Sequence, residues 1–460
     1  MRFAQHLCAA AAVAAAVASR PRRLCATDDD CSLLGVCSSN GTCACDPGWG
    51  GADCGVARLR DYDDVAHLGY VNASAASWGG RPLRVGGTWQ LFATEIAAQC
   101  PLILFMNNSR VIRAESTTGS AAGPYAHRGV VRAAFAHNPT AVGPTPDGYY
   151  LVFSIGGAAA GSARPNPPSW LLDCAAPAGL PPCAARDQCR SHGTPAANGQ
   201  VVLSYASDPV RGPWVHRVVM PIGGNGTTPP GDPGAWNCKH NNPSARVDPR
   251  TGAVTLMYHG SACDGSSKGE RLGLADAAHW NDRYFSTRTA VVLSPSSTYS
   301  RLTPHSFRFP LTSLRVAGGR GAYSTYVKRA GPPIVGPENG TGSHEDPFVW
   351  VDRRGNYHAL THNQGDGNRC GGGSAGHSCG AHLFSRDSYR WGISGKAAYS
   401  SAVRLKSNAS VVNTGTRQRP QLVFSDDEAR RPLYLFNGAS FEGNNPDLHM
   451  LTHTLAFEFE

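Results

Sequence analysis

Beyond its first 19 residues the chain has no apolar run near the roughly 20 residues that a membrane-crossing helix needs. The longest, Cys100 to Met106, is far too short, so no membrane span is expected. Its Lys and Arg form no stripe: the formal charge of +9 is scattered, which argues against nucleic acid as a partner. Amphipathic helical periodicity is almost missing, which excludes helical bundles and alternating α/β folds. There is no H-E-x-x-H to suggest zinc, and the Gly-rich stretch from Gly371 to Gly376 lacks both a P-loop Lys and a following helix. Neither a metal nor a cofactor is expected.

What the chain does contain is one pattern repeated. A polar residue stands directly before a proline, then a short apolar stretch, a turn and a second apolar stretch follow. The openings are His137-Asn138-Pro139, Asn241-Asn242-Pro243, Glu345-Asp346-Pro347 and Gln418-Arg419-Pro420. The second stretches include Tyr149 to Phe153, Val254 to Tyr258, Tyr357 to Leu360 and Leu433 to Phe436. Trp89 to Ala93 matches them and marks an earlier unit opening near Ser77. Recurrent strand pairs without helices indicate an all-β propeller rather than a solenoid. Five units make it a five-bladed β-propeller over residues 60–460. Its last strand, Leu451 to Phe459, is expected to share a blade with residues near the start of the domain, leaving no free edge.

Composition over the 460 residues is 41% apolar, enough for a core. Met1 to Ser19, alanine-rich and apolar, reads as a signal peptide, residues 1–19, and implies secretion. Its removal takes Cys8 and leaves fourteen of fifteen cysteines, an even number that suits an oxidising compartment. Sequons at Asn40, Asn72, Asn107, Asn225, Asn339 and Asn408 agree with that route.

Six cysteines, Cys25, Cys31, Cys37, Cys43, Cys45 and Cys54, are packed too densely for an ordinary core and suit a stapled module over residues 24–55. The segment from Cys43 to Cys54, with Gly48, Trp49 and Gly51 at their spacing, resembles the closing half of an EGF-like domain. That resemblance implies the pairs Cys25–Cys37, Cys31–Cys43 and Cys45–Cys54. Arg22-Arg23-Leu24 replaces the acidic cluster of calcium-binding members, so no calcium is expected. Such modules serve as spacers or as adhesive elements for an extracellular protein, and a spacer is the expectation. Among the other cysteines, Cys238 with Cys263 and Cys370 with Cys379 are plausible pairs, and Cys174, Cys183 and Cys189 lie in a Pro-rich loop.

The propeller is similar to the furanosidase superfamily of arabinanases, xylosidases, levansucrases and invertases, and to glycoside hydrolase family 43 in particular. The residues that carry the likeness are Ser207-Asp208-Pro209 leading to Gly212-Pro213-Trp214, and Glu345-Asp346-Pro347-Phe348-Val349-Trp350. The resemblance implies three acidic residues at a central funnel. One carboxyl must protonate the leaving oxygen, and another must activate water or attack the sugar.

If each innermost strand begins at the axis, its opening residues face one funnel, and the end of the second strand returns to the same place. The openings contribute His137, Asn138, His240, Asn242, His344, Glu345, Asp346 and Arg419; the hairpin ends contribute Thr94, Glu95, His259, His362 and Asn437. The catalytic candidates are Glu345, Asp346 and Glu95, with Glu345 or Glu95 as proton donor. The substrate-binding candidates are His137, Asn138, His240, Asn242, His259, His344, His362, Arg419 and Asn437. Imidazoles in that ring could contact sugar hydroxyls, hold a carboxylate or bind a metal; Asn138 and Asn242 could instead cap turn amides. Trp78 and Trp350 could stack on a sugar or pack between blades. The expected function is a secreted glycoside hydrolase-like protein acting on a glycan, the alternative a non-catalytic propeller that binds carbohydrate or protein.

Overall fold

The computed structural model describes residues 25–156, 199–222, 238–261, 271–282, 286–288, 291–292, 344–363, 379–414, 417–440 and 452–460. The pairs proposed for Cys238 and Cys379, and the Pro-rich cysteine loop, involve positions outside them. Cys100, Cys238 and Cys379 are themselves disulfide-bonded.

Five sheets surround one axis, each with its first strand innermost. Blade I runs through Ser77–Val85, Thr88–Ile96, Ser109–Ser116 and Tyr125–Arg132, and blade II through Ala136–Val142, Tyr150–Gly156, Gln200–Ala206 and Val215–Met220. Blade III uses Lys239–Val247, Val254–Ser261, Arg271–Ala277 and Ser286–Arg288; blade IV uses His344–Val351, Tyr357–Asn363, Cys379–Ser385 and Arg390–Ile393. Blade V joins Arg417–Phe424, Pro432–Ala439 and the C-terminal His453–Glu458 to Gly69–Tyr70 from the start of the domain. This shared blade closes the ring, as the sequence suggested, and removes the open edges that invite aggregation.

The blades cohere because strand side chains alternate between faces. On the second strand of blade I, Leu91 packs toward blade V with Phe436 and Val423, whereas Phe92 packs toward blade II with Ala141 and Val152. The same alternation sets Phe153 against Tyr258 between blades II and III, and Met257 against Val349 between blades III and IV. Each such side chain, fully buried, contributes about 1.5–3 kcal/mol.

Residues 25–57 form the disulfide module, with hairpins Gly35–Cys37/Cys43–Cys45 and Trp49–Gly50/Val56–Ala57. Cys25–Cys37, Cys31–Cys43 and Cys45–Cys54 are bonded. The spacer expectation needs correcting, because the module lies docked on blades IV and V. Trp49 stacks on Trp350 at 6.1 Å and contacts His382 and Phe459. Arg354 bonds Asp46 and the Leu33 carbonyl, Ser394 donates to Ser32 at 2.9 Å, and Gly395 N donates to Asp53 at 2.7 Å. Trp350 is thereby committed to the domain interface and is unavailable to a sugar.

Trp49→Ala is expected to cost about 3–5 kcal/mol of docking energy, the usual loss for a buried Trp. A lowered melting temperature, with new proteolytic cleavage between the module and blade I, would show it. Unchanged melting would mean that the polar contacts alone hold the module.

Candidate functional site

All five innermost strands carry the same irregularity. The ladder register shifts between Trp78 and Gly80, His137 and Thr140, Asn241 and Ser244, Glu345 and Phe348, and Gln418 and Gln421. At each shift one residue has positive φ: Gly79 (60°), Asn138 (51°), Asn242 (49°), Asp346 (54°) and Arg419 (53°). Proline follows four of them and supplies no N–H to the ladder, so the pairing breaks there and the preceding side chain is swung to the axis. Asn and Asp tolerate the left-handed region comparatively well, but an arginine there is held against its preference. Gly79, the first-blade equivalent, went unseen because Gly80 stands where the proline would be.

These positions meet in one network. Asn138 Nδ2 donates to Asn242 Oδ1 at 2.7 Å and lies 3.4 Å from Asp346 Oδ1; its backbone N–H donates to Thr94 Oγ1 at 2.9 Å. Arg419, fully buried, donates from Nη2 to the carbonyls of Asn138 (2.6 Å) and Pro243 (2.7 Å), and from its backbone N–H to Asp346 Oδ2 at 3.2 Å. Its stem crosses Gly79, where a Cβ would stand 2.2 Å from Arg419 Cγ. Arg419 therefore forms the floor of the funnel, a correction to its expected contact with substrate.

Above that floor lies a cavity of about 360 Å³, within the usual size of ligand pockets. His137, Asn138, Asn242, His259, Glu345 and Asp346 line it, joined by Trp78, Asn241 and Gln418. Leu102, Phe105 and Met106 make an apolar wall. That wall comes from the run Cys100–Met106, legible beforehand only as an apolar stretch too short to span a membrane. Trp78, Phe105 and Met106 give the cavity apolar surface alongside its carboxylates, a mix suited to a sugar's faces and hydroxyls.

Glu345 and Asp346 are the carboxylates of this cavity among the described residues. An oxygen of each and a ring nitrogen of His362 lie within 4.8 Å of one another, and His362 Nδ1 is 3.2 Å from Glu345 Oε1. Burial, then the neighbouring charge of Glu345, pushes the Asp346 carboxyl up, against the pull of Arg419. Of the two, Asp346 is therefore the carboxyl whose proton is held more tightly than in an ordinary aspartate. Such a trio could approach a hard cation, but supplies three ligands where calcium takes six to eight.

The remaining candidates separate. Glu95 is corrected: strand alternation places Thr94 toward blade II, so Glu95 turns the other way. Its buried carboxylate accepts from Tyr70 Oη at 2.7 Å and Arg110 Nε at 2.9 Å, outside the funnel. His259 Nε2 and His362 Nε2 are enclosed without a partner, as is Asn138 Oδ1. His137 sits against Phe105, with Nδ1 2.8 Å from Ser109 Oγ, and burial lowers it to about 3. His240, likewise lowered to about 3 by burial, stands edge-on to Tyr258. His344 is buried with Nδ1 2.9 Å from Thr361 Oγ1, and Asn437 is buried between Arg417 Nε (3.1 Å) and the Gln418 carbonyl. Neither His240, His344 nor Asn437 is part of the cavity lining; burial on their own blades, rather than substrate, accounts for where they sit.

A family model described as a Teneurin-like EGF domain matches residues 27–57. No curated protein matches the chain. Similar solved structures include Zg3597, a family 117 glycoside hydrolase of the marine bacterium Zobellia galactanivorans, at 15% identity over 87% of each chain with a TM-score of 0.43. Another is CoXyl43, a β-xylosidase/α-arabinofuranosidase from a compost metagenome, at 11% identity over 87% of this chain and 94% of that one, TM-score 0.45. A third is the α-L-arabinofuranosidase PaAbf62A of Podospora anserina, at 9% identity over 88% and 95%, TM-score 0.42.

Proposed function

We propose that the axial cavity binds a glycan and that Glu345 and Asp346 cleave a glycosidic bond within it, in an extracellular setting that suits the disulfide-stapled module. One observation carries this reading: the cavity ends on two adjacent carboxyls, Asp346 fully enclosed and raised by that burial and by Glu345, Glu345 more open and beside His362. Hydrolysis of an acetal needs a protonated and a charged carboxyl side by side. Asp346 passes its proton to the leaving glycosidic oxygen as the C–O bond breaks, and Glu345 meets the positive charge developing at the anomeric carbon. Water then attacks that carbon, the bond to Glu345 breaks to free its carboxylate, and one proton of the water goes back to Asp346. Carboxyls with an oxygen of each within 4.8 Å fall short of the 6.5–9.5 Å that admits a water between them, which favours a glycosyl ester on Glu345. The sequence alone offered Glu345 or Glu95 as donor and Asp346 as the second carboxylate; the deeper burial of Asp346 favours it as donor instead.

His259, His362 and Asn138 have unpartnered atoms at or beside the cavity, and these suit sugar hydroxyls. Glu345→Gln is expected to abolish turnover on an aryl-furanoside and aryl-pyranoside panel while glycan-array binding persists. Wild-type protein that binds but never turns over would favour the second reading, a carbohydrate-binding propeller without catalysis. That reading is favoured by Asn138 and Asn242, which fill with amides the bulge positions that Asp346 fills with an acid.

A further inference from the structure

Between the second and third strands of blade I the chain makes an excursion over residues 97–108 before Ser109 resumes the sheet. Its base is tied. Ala97 N–H donates to the Asn108 carbonyl at 2.9 Å, Asn108 Nδ2 donates back to the Ala97 carbonyl at 3.1 Å, and Cys100 is disulfide-bonded. Leu102 and Leu104 are buried against Ala76, Trp78 and Ile96, so the excursion is packed into the fold. Phe105 and Met106 are only half-buried, and with Leu102 they line the funnel cavity. Phe105 lies 4.9 Å from the ring of His137, at the opening of blade II. A segment that starts on blade I thus ends against blade II and walls the mouth where the two meet.

The innermost strands touch in the order I, II, III, IV, V and back to I. In a ring of five, the blade across the axis from the junction of the first two is the fourth, which carries Glu345 and Asp346. A sugar unit with its anomeric carbon at the carboxyl pair therefore has the wall on its other side. The wall selects by chemistry as well as by bulk. A further unit pressed onto Leu102, Phe105 and Met106 would bury hydroxyls with no partner to receive them, whereas a terminal unit can turn a C–H face to them. The cavity, about 360 Å³, is at the small end of the range of about 300–1,000 Å³ for ligand sites, which suits one enclosed unit.

We infer that the protein acts on chain ends: Leu102, Phe105 and Met106 stop the glycan at its non-reducing terminal unit, and each cleavage releases that one unit. This rests on the hydrolytic reading of the funnel and names the form of its substrate. The unit attacked is the one whose anomeric carbon faces the carboxyls, so the wall bars anything attached to its far side. Water adds across the terminal bond: the released sugar takes the hydroxyl at its anomeric carbon, and the shortened chain keeps the glycosidic oxygen with the proton. Cleavage in mid-chain needs room on both sides of the bond, and the junction of blades I and II gives none among the described residues.

Linear arabinan, xylan and galactan oligosaccharides, labelled at the reducing end, test it beside the aryl glycoside panel. Early in the reaction the wild-type protein should give labelled products one unit shorter than the starting chain and no mid-chain fragments. Phe105→Ala combined with Met106→Ala, checked for folding by its melting curve, should raise mid-chain over terminal cleavage about tenfold, the scale on which pocket contacts discriminate substrates. Mid-chain fragments from the wild type, or an unchanged ratio in the folded double variant, would overturn the inference while hydrolysis stood. Aryl glycosides cleaved with every labelled chain left intact would overturn it too. Absence of turnover on aryl glycosides and chains alike would instead remove the hydrolytic reading, and this inference with it. Should the double variant not fold, the wild-type fragment pattern decides alone.

Discussion

Asp346→Asn is expected to reduce glycoside turnover by about 10²–10⁴-fold, the usual contribution of a positioned acid, while making the folded protein more stable at pH 8. The substitution is close to ideal as a probe. Asn138 and Asn242 already occupy the matching bulges of blades II and III with positive φ, so an amide at position 346 fits the backbone. What it removes is the acid itself. Because the Asp346 carboxyl is held above its unfolded value, the native chain binds a proton there that the unfolded chain has lost. Wild-type stability should therefore rise as pH falls through the raised value, and the burden should be full above it. The gain from Asp346→Asn at pH 8 is expected at about 1–2 kcal/mol and should shrink toward zero as Asp346 becomes protonated. Melting curves from pH 5 to 8 check the sign: a variant less stable than wild type throughout would mean that Asp346 is kept charged by Arg419. Wild-type turnover should fall on the alkaline side, where Asp346 loses its proton.

Arg419→Ala is expected to destabilise the protein by about 3–5 kcal/mol. The guanidinium satisfies two buried carbonyl oxygens, on Asn138 and Pro243, each costing about 1–3 kcal/mol when left bare. It also leaves Asp346 without its cation and opens a void at the axis. A companion substitution identifies the cause. Gly79→Ala should be strongly destabilising alone, because its Cβ would overlap the Arg419 stem and its φ is positive. In the Arg419→Ala background the contact with Cγ disappears while the 2.7 Å approach to Cβ remains, so the cost of Gly79→Ala should shrink toward, without reaching, the about 1–2 kcal/mol of a left-handed alanine. Denaturant unfolding of the two single variants and the double variant measures that coupling. Simple additivity would show that the two side chains do not share the space.

The blade count and ring closure were readable because X-Pro openings recur and proline disrupts a β-ladder in the same way each time. Blade I hid its bulge, since Gly79-Gly80 achieves the same backbone without the proline marker. The convergence of distant residues on one axis followed from treating equivalent points as equivalent. Which way each side chain points did not: Glu95 and Thr94 are neighbours on one strand, and a single step of alternation sends one to the funnel and the other to Tyr70 and Arg110. Arg419 stood at a ring position, but its length carries the charge under the cavity and onto backbone carbonyls, a destination with no sequence signature. The docking of Trp49 on Trp350 joins residues 301 positions apart, and no periodicity announces such a contact.

The central claim is that Glu345 and Asp346 act as a retaining carboxyl pair in the funnel. Peptide mass spectrometry of the wild-type protein, after incubation with activated 2-fluoro glycosides, tests it directly. The account predicts one glycosyl adduct, on Glu345, whose formation is suppressed in Asp346→Asn unless the leaving group needs no proton. An adduct on any other residue, or hydrolysis of these glycosides by Glu345→Gln at the wild-type rate, would contradict it.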